Sequence, residues 1–216
     1  MGLLERITRI FASPDERTRR AVLGVPAATI AGARDGQLVR ITGRVVADVA
    51  VTAPFSGASV VWYRARYEVL HRNDDQNALL AAVGPLRRNY KPAEWVTNVH
   101  AGEACAFFVD DGSGIVALVD GANATILARE HRLLDTRFLD AEPETFQRFM
   151  HAHGQPTTAY MGAEAEKRFH EQCVRVGDEI VVAGVAHRTA GAPDHSAYRS
   201  TSTVYVAIEA PVALAE

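Results

Sequence analysis

The chain has 216 residues, 48% of them hydrophobic and 23% charged, with 23 basic against 26 acidic side chains and a formal charge of −3. This is the composition of a folded protein with one sizeable core, and no low-complexity tract interrupts it. Such a balance argues against a chain that mainly coats nucleic acid or an anionic membrane, because either task needs a concentrated basic surface.

The two cysteines, Cys105 and Cys173, have no metal-type spacing. They predict buried free thiols in a reducing, cytoplasmic compartment. Charges at Glu5, Arg6 and Arg9 break the apolar core a signal peptide needs, and Arg6 also spoils the myristoylation pattern. The longest uncharged runs, 21–33 and 49–63, contain Gly and Pro. Both are shorter than the roughly 17–25 residues of a spanning helix, so no integral membrane segment is expected.

Leu3, Leu4, Ile7, Ile10 and Phe11 recur at helical spacing and predict an amphipathic helix over 2–11. An apolar stripe is costly to leave in water, so residues 3–11 are expected to pack on the domain or self-associate, with peripheral membrane contact as the other option. Ser13-Pro14-Asp15-Glu16 reads as the start of a second helix, running to about Leu23. Gly24, Pro26 and an Ala-rich stretch then form a connector, which makes residues 1–33 an N-terminal helical extension.

Residues 34–216 read as one β domain. "LVRITGRVVADVAV" places β-branched residues at alternate positions around Gly43. "APFSG" turns the chain into a strand with two unlike faces. One carries Val61, Tyr63, Ala65, Tyr67 and Val69; the other carries Val60, Trp62, Arg64, Arg66, Glu68 and Leu70. Segment 71–98 reads as a long polar loop with a helical turn near 78–83. "ACAFFVDDGSGIVALVD" is strand, tight turn, strand, and "CVRVGDEIVVAGVAHR" repeats that grammar with Gly184 inside its second run. Between them lies a helical insert, 131–165, started by Pro143 and stopped by Gly154. "STSTVYVAIEA" is the last strand. Two β runs bent at an internal glycine suit a small coiled barrel, so the expected class is mainly β (β+α): an OB-like barrel with a helical insert and an N-terminal helical extension.

Several constellations invite chemistry. Gly112-Ser113-Gly114 begins a dinucleotide-type pattern, but Ile115, Val116, Leu118 and Val119 continue as a strand where a helix is required. Asp110 and Asp111 point to opposite faces if they lie on a strand, which suits turn capping better than a shared ligand. His170 and Cys173 also fall on opposite faces of a strand, so a thiol–imidazole pair would need a helix there. Glu171 shares its phase with Cys173 and is expected inside, with Arg64 or Arg66 as its partner. His151 and His153 are two apart on a helix, which is no preformed metal site. No complete catalytic motif, metal site or cofactor site is legible, and the chain is expected not to be an enzyme. The face with Trp62, Arg64 and Arg66 is the leading binding candidate, since aromatics and arginines on a barrel strand can stack bases or hold anions. Its other reading is a covered face whose arginines pair with acids.

Three segments in order resemble the GIDE domain, also called BAM (beside-a-membrane), of RING-type ubiquitin ligases of mitochondrial and chloroplast outer membranes and of stand-alone bacterial relatives. They are "APFSGASVVWYR", "FFVDDGSGIVALV" and "KRFHEQCVRVGDEIVVAGVAHR". The resemblance spans about residues 36–210. It carries over Pro54, Ser56, Gly57, Tyr63 and Arg64 from the turn and strand, Asp111 and Gly114 from the hairpin, and Glu171, Gly177, Asp178 and Gly184 from the last segment. Most of these it implies to be structural. Ala53 and Ser59 depart from the family pattern, and two cysteines cannot build a cross-braced RING. The resemblance therefore implies the recognition part of such proteins, and ubiquitin-ligase-related activity would rest on homology alone. The expectation is a non-catalytic GIDE-type interaction module in a bacterial cytosol with a protein partner, in a defence or stress setting. The alternative is an OB-type binder of nucleic acid or a nucleotide signal, which the charge balance disfavours.

Overall fold

The computed structural model describes residues 13–71, 94–136, 143–155, 166–190 and 204–215. In chain order these form α1 (Pro14–Gly24), β1 (Gln37–Val46), β2 (Val51–Thr52), β3 (Ser59–His71), β4 (Glu94–Ala104), β5 (Ala106–Asp110) and β6 (Val116–Asp120). There follow β7 (Thr125–Ala128), β8 (His131–Thr136), α2 (Glu144–Ala152), β9 (Lys167–Arg175), β10 (Glu179–Ala190) and β11 (Val204–Ala215). The helix expected over 2–11 and the turn near 78–83 lie outside the described residues.

Strands β10, β1, β5, β6 and β11 hydrogen-bond in that order, and β11 returns to β10, closing a five-stranded barrel. All neighbours are antiparallel except β11 and β6, which run parallel. A meander of three strands closed by a fourth and fifth, with the third and fifth parallel, is the OB-type arrangement. Alternation makes it: Val39, Ile41 and Val45 of β1 point inward, and Leu38 outward at 53% exposure. Phe107, Val109, Val119, Ile180, Val182 and Val206 fill the interior.

Two glycines let the barrel close. A Cβ on Gly43 would lie 2.6 Å from the Asp110 carbonyl oxygen, so a side chain there would push β1 off β5. A Cβ on Gly184 would sit 2.5 Å from Ile208 Cγ2 and 2.6 Å from the Glu209 oxygen. Opposite Gly184 the β10–β11 register shifts, and Ala210, at φ 47, precedes Pro211 in a bulge. The bend lets one half of β11 pair with β6 and the other with β7.

A second, antiparallel sheet is inserted between β1 and β5 and between β6 and β10. Its order is β4-β3-β9-β8, with β2 beside the start of β3. Strands β3 and β9 belong to both cores. Val61, Trp62 and Val174 pack in the barrel, while Ala65, Tyr67, Val69 and Phe169 pack under α2 against Phe146, Phe149 and Met150. Two expectations are corrected here. Residues 94–98 are the start of β4, not loop, and residues 131–136 are β8, not part of a helical insert. Val96, Thr97 and Val99 carried β propensity, but the polar sequence before them masked it.

The N-terminal extension is continuous with the barrel. The Ser13 hydroxyl caps α1 by accepting from the Glu16 N–H at 3.2 Å, and Val22 packs on Ala183 and Leu214. Ile30 and Ala33, within the connector, are fully buried in the barrel core. The Arg188 guanidinium donates to the Ala31 and Ala33 carbonyls at 3.1 and 2.9 Å.

Gly184→Ala is expected to cost about 1–3 kcal/mol, because backbone as well as side chain must move to admit the methyl. Gly24→Ala, with open space around its Cβ, is expected to be neutral or slightly stabilising. Urea denaturation of both variants checks the contrast.

Candidate functional site

The turn that opens the longest strand is fastened from inside. Glu171 is 2% exposed, and its carboxylate accepts from the Phe55 N–H at 2.9 Å and the Ser56 N–H at 3.2 Å. The turn closes on itself through the Ala53 N–H to Ala58 and the Gly57 N–H to Ala53. Phe55 then stacks on Phe146 at 4.8 Å and meets Phe149 and Phe169 edge-on at 4.6 and 5.4 Å. The expected Arg64–Glu171 pair does not form. Glu171 lies opposite Ala65 in the ladder, and Arg64 lies opposite Gln172, so the two side chains leave on opposite faces. The acid finds backbone donors because the turn folds back over its face.

The three binding candidates separate along β3. Trp62 is 8% exposed and forms part of the barrel core. Arg66 is committed: its Nε lies 3.0 Å from Glu130 and 3.5 Å from Glu68. His170 completes that cluster, with Nε2 3.3 Å from Glu68 and Nδ1 3.6 Å from Glu130. Further along, the Arg168 guanidinium lies 3.6 Å from the Trp95 ring centroid. Arg66 thus follows the reading of arginines paired with acids, while residues 72–93 of the loop expected to cover the face lie outside the described residues.

Arg64 differs. It is exposed, its guanidinium carbon lies 5.6 Å from the Trp62 centroid, and it makes no hydrogen bond or ion pair among the described residues. Its neighbour on β4 is Gly102, and the exposed His100 lies two pairs further on, opposite Arg66 and on the same face. The missing side chain at Gly102 opens a cleft of about 420 Å³ beside Arg64, between β3–β4 and the turn that joins β6 to β7. On the other face the Tyr63 hydroxyl donates to Glu103 at 3.5 Å. Burial and the Glu103 carboxylate push the Tyr63 phenol above its ordinary value. His100 and Gly102 were not legible in the sequence as site residues, since nothing local placed them on the face of Arg64.

The other candidates hold turns or stay apart. Asp110 accepts from the Gly112 N–H at 2.8 Å. Asp111 accepts from the Ser113 N–H at 2.9 Å and, across the fold, from the Ile30 N–H at 2.7 Å. Burial opposes ionisation of Asp111, but the Ser113 hydroxyl and the Ile30 and Ser113 amides outweigh it and hold the carboxyl below its ordinary range. Asp178 accepts from the Arg175 N–H at 2.8 Å. Pro54, Gly57, Gly114 and Gly177 sit in turns, the three glycines at φ 68, 84 and 93. Cys173 lies opposite Tyr63 and His170 opposite Arg66, so they leave β9 on different faces. Burial raises the Cys173 thiol against the pull of Arg175, which keeps it protonated and poorly nucleophilic. No three His, Cys, Asp or Glu side chains among the described residues are grouped to hold a metal. No described helix is long and apolar enough to cross a membrane.

Neither family models, curated proteins nor solved structures give a match to the chain.

Glu171→Ala strands two inward amides and is expected to lower stability by about 2–4 kcal/mol, while Arg64→Ala stays within about 0.5 kcal/mol of wild type. Chemical denaturation of the pair checks that Glu171 serves the turn. Asp111 has a folded pKa below its unfolded one, so its contribution is present above the unfolded value and fades as pH falls through the folded one. Asp111→Asn is therefore expected to cost about 1–2 kcal/mol at neutral pH and nothing once both forms are neutral in acid. Urea midpoints followed from neutral pH to below the ordinary carboxylate range measure how that gap narrows.

Proposed function

We propose that the chain is a non-catalytic interaction module of the GIDE type, acting in a bacterial cytosol by contact with a protein partner. The observation that carries this reading is Arg64, an exposed guanidinium beside the Trp62 ring with no hydrogen bond or ion pair among the described residues, at the mouth of a cleft and on a strand where Arg66 is paired with acids. A cation without an acidic partner beside open volume is suited to recognition. It is less suited to stabilising the fold, which Glu171, Asp111 and the paired Arg66 already serve. The resemblance residues make turns and leave Arg64 aside: Ser56 and Glu171 fasten the turn into β3, Asp111 caps the β5–β6 turn and Asp178 the β9–β10 turn.

A photoreactive amino acid at position 122, on the exposed far wall of the cleft, is expected to cross-link a discrete protein in living cells, and Arg64→Ala to abolish that product. Calorimetry with single-stranded oligonucleotides and cyclic nucleotides at low salt is expected to show no heat, since Trp62 offers no open face for a base. Nucleotide binding lost in Arg64→Ala would replace the protein partner with the nucleotide alternative.

A further inference from the structure

The Arg64 cleft is walled by the backbone of β4. All five residues from His100 to Ala104 line it, and successive residues of a strand point to opposite faces. Trp62, Tyr63 and Arg64 of β3 line it as well, so the volume runs over the paired strands and reaches residues of both faces of β4. Strand β4 pairs with β3 on one side, and among the described residues nothing pairs its other side. An edge strand presents alternate N–H and C=O groups outward, and natural edges of this length are commonly blocked with Lys or Pro. Strand β4 has neither; its one irregularity is the register shift beside Asn98. From Val99 onward the pairing is regular, and Ala101, Gly102 and Ala104 leave the backbone accessible. The far wall, Gly121, Ala122 and Ala124, is equally small.

We propose that the β4 edge over His100–Ala104 takes an extended segment of a protein partner as an added strand, with acidic side chains facing Arg64 and His100 and basic ones facing Glu103. This rests on the reading of the chain as an interaction module and specifies the partner's chemistry for the same cleft. Backbone hydrogen bonds supply attachment, and the alternating side chains supply selectivity. The two faces beside the edge differ in charge: Arg64 of β3 lies on one with the imidazole of His100, and Glu103 lies on the other. An incoming strand that alternates acid and base complements both at once. A segment acidic throughout would meet Glu103, and one basic throughout would meet Arg64.

The test selects short random peptides displayed against the full-length chain. Recovered binders are expected to carry Asp or Glu at every second position with Lys or Arg between. Arg64→Glu is expected to weaken them about tenfold to a hundredfold. N-methylation of one alternate set of peptide amides should abolish binding and methylation of the other set should not. Amide exchange of residues 99–104 should slow on binding. Binders indifferent to N-methylation at both sets, or to Arg64→Glu, would overturn strand addition. So would a selection that yields no peptide while the Arg64-dependent cross-link from position 122 persists, and that result would leave the parent reading standing. No peptide and no such cross-link would remove both.

Discussion

The buried carboxylate of Glu171 is the constraint on which the rest of this architecture depends. It sits at the centre of β9, between the barrel and the second sheet, and its two oxygens satisfy the amides of a turn 115 residues or more earlier in the chain. A buried acid is costly unless its lone pairs are used, and here they are used by groups that would themselves be unsatisfied. The interaction fixes the turn, the turn inserts Phe55 into the Phe146–Phe149–Phe169 cluster, and the cluster holds α2 over the sheet. The start and direction of β3 follow from that anchor.

Because β3 is so held, the positions along it acquire different roles at regular intervals. Trp62 falls inside the barrel and Arg66 falls into a cluster with Glu68, Glu130 and His170. Arg64 falls between them, where β3 leaves the barrel and Gly102 offers nothing across the ladder. One pleated strand thus gives a core residue, an open cation and a neutralised cation two residues apart. The open cation and the bare edge of β4 are products of the same geometry. The inserted sheet projects from the barrel, so its outer strand has a wall of small residues beside it and no described strand on it.

Much of the fold was legible in the sequence. Alternation in β1, β5, β6 and β10, the glycines at 43 and 184, the cap at Ser13 and the Pro143–Gly154 helix are local signals, and local physics settles them. Strands β4, β7 and β8 were not legible, since they are short, polar or adjacent to polar segments and gain their order from pairing with β3, β11 and β9. The phase of Glu171 predicted its burial correctly. Its partner could not be predicted, because an acceptor's preference for a charged side chain or for backbone donors depends on which group the fold brings to that face.

By itself the sequence determined a β-rich barrel with bends at two glycines, which acids and glycines make turns, and that His170 and Cys173 face apart, all consequences of period-two geometry and of turn chemistry. Only the tertiary structure decided that Arg66 is neutralised while Arg64 is open, that Trp62 belongs to the core, and that His100 and Gly102 stand beside Arg64. The physical reason is that charge pairing and exposure are properties of neighbours across a sheet, and strand register is set by the whole packed chain.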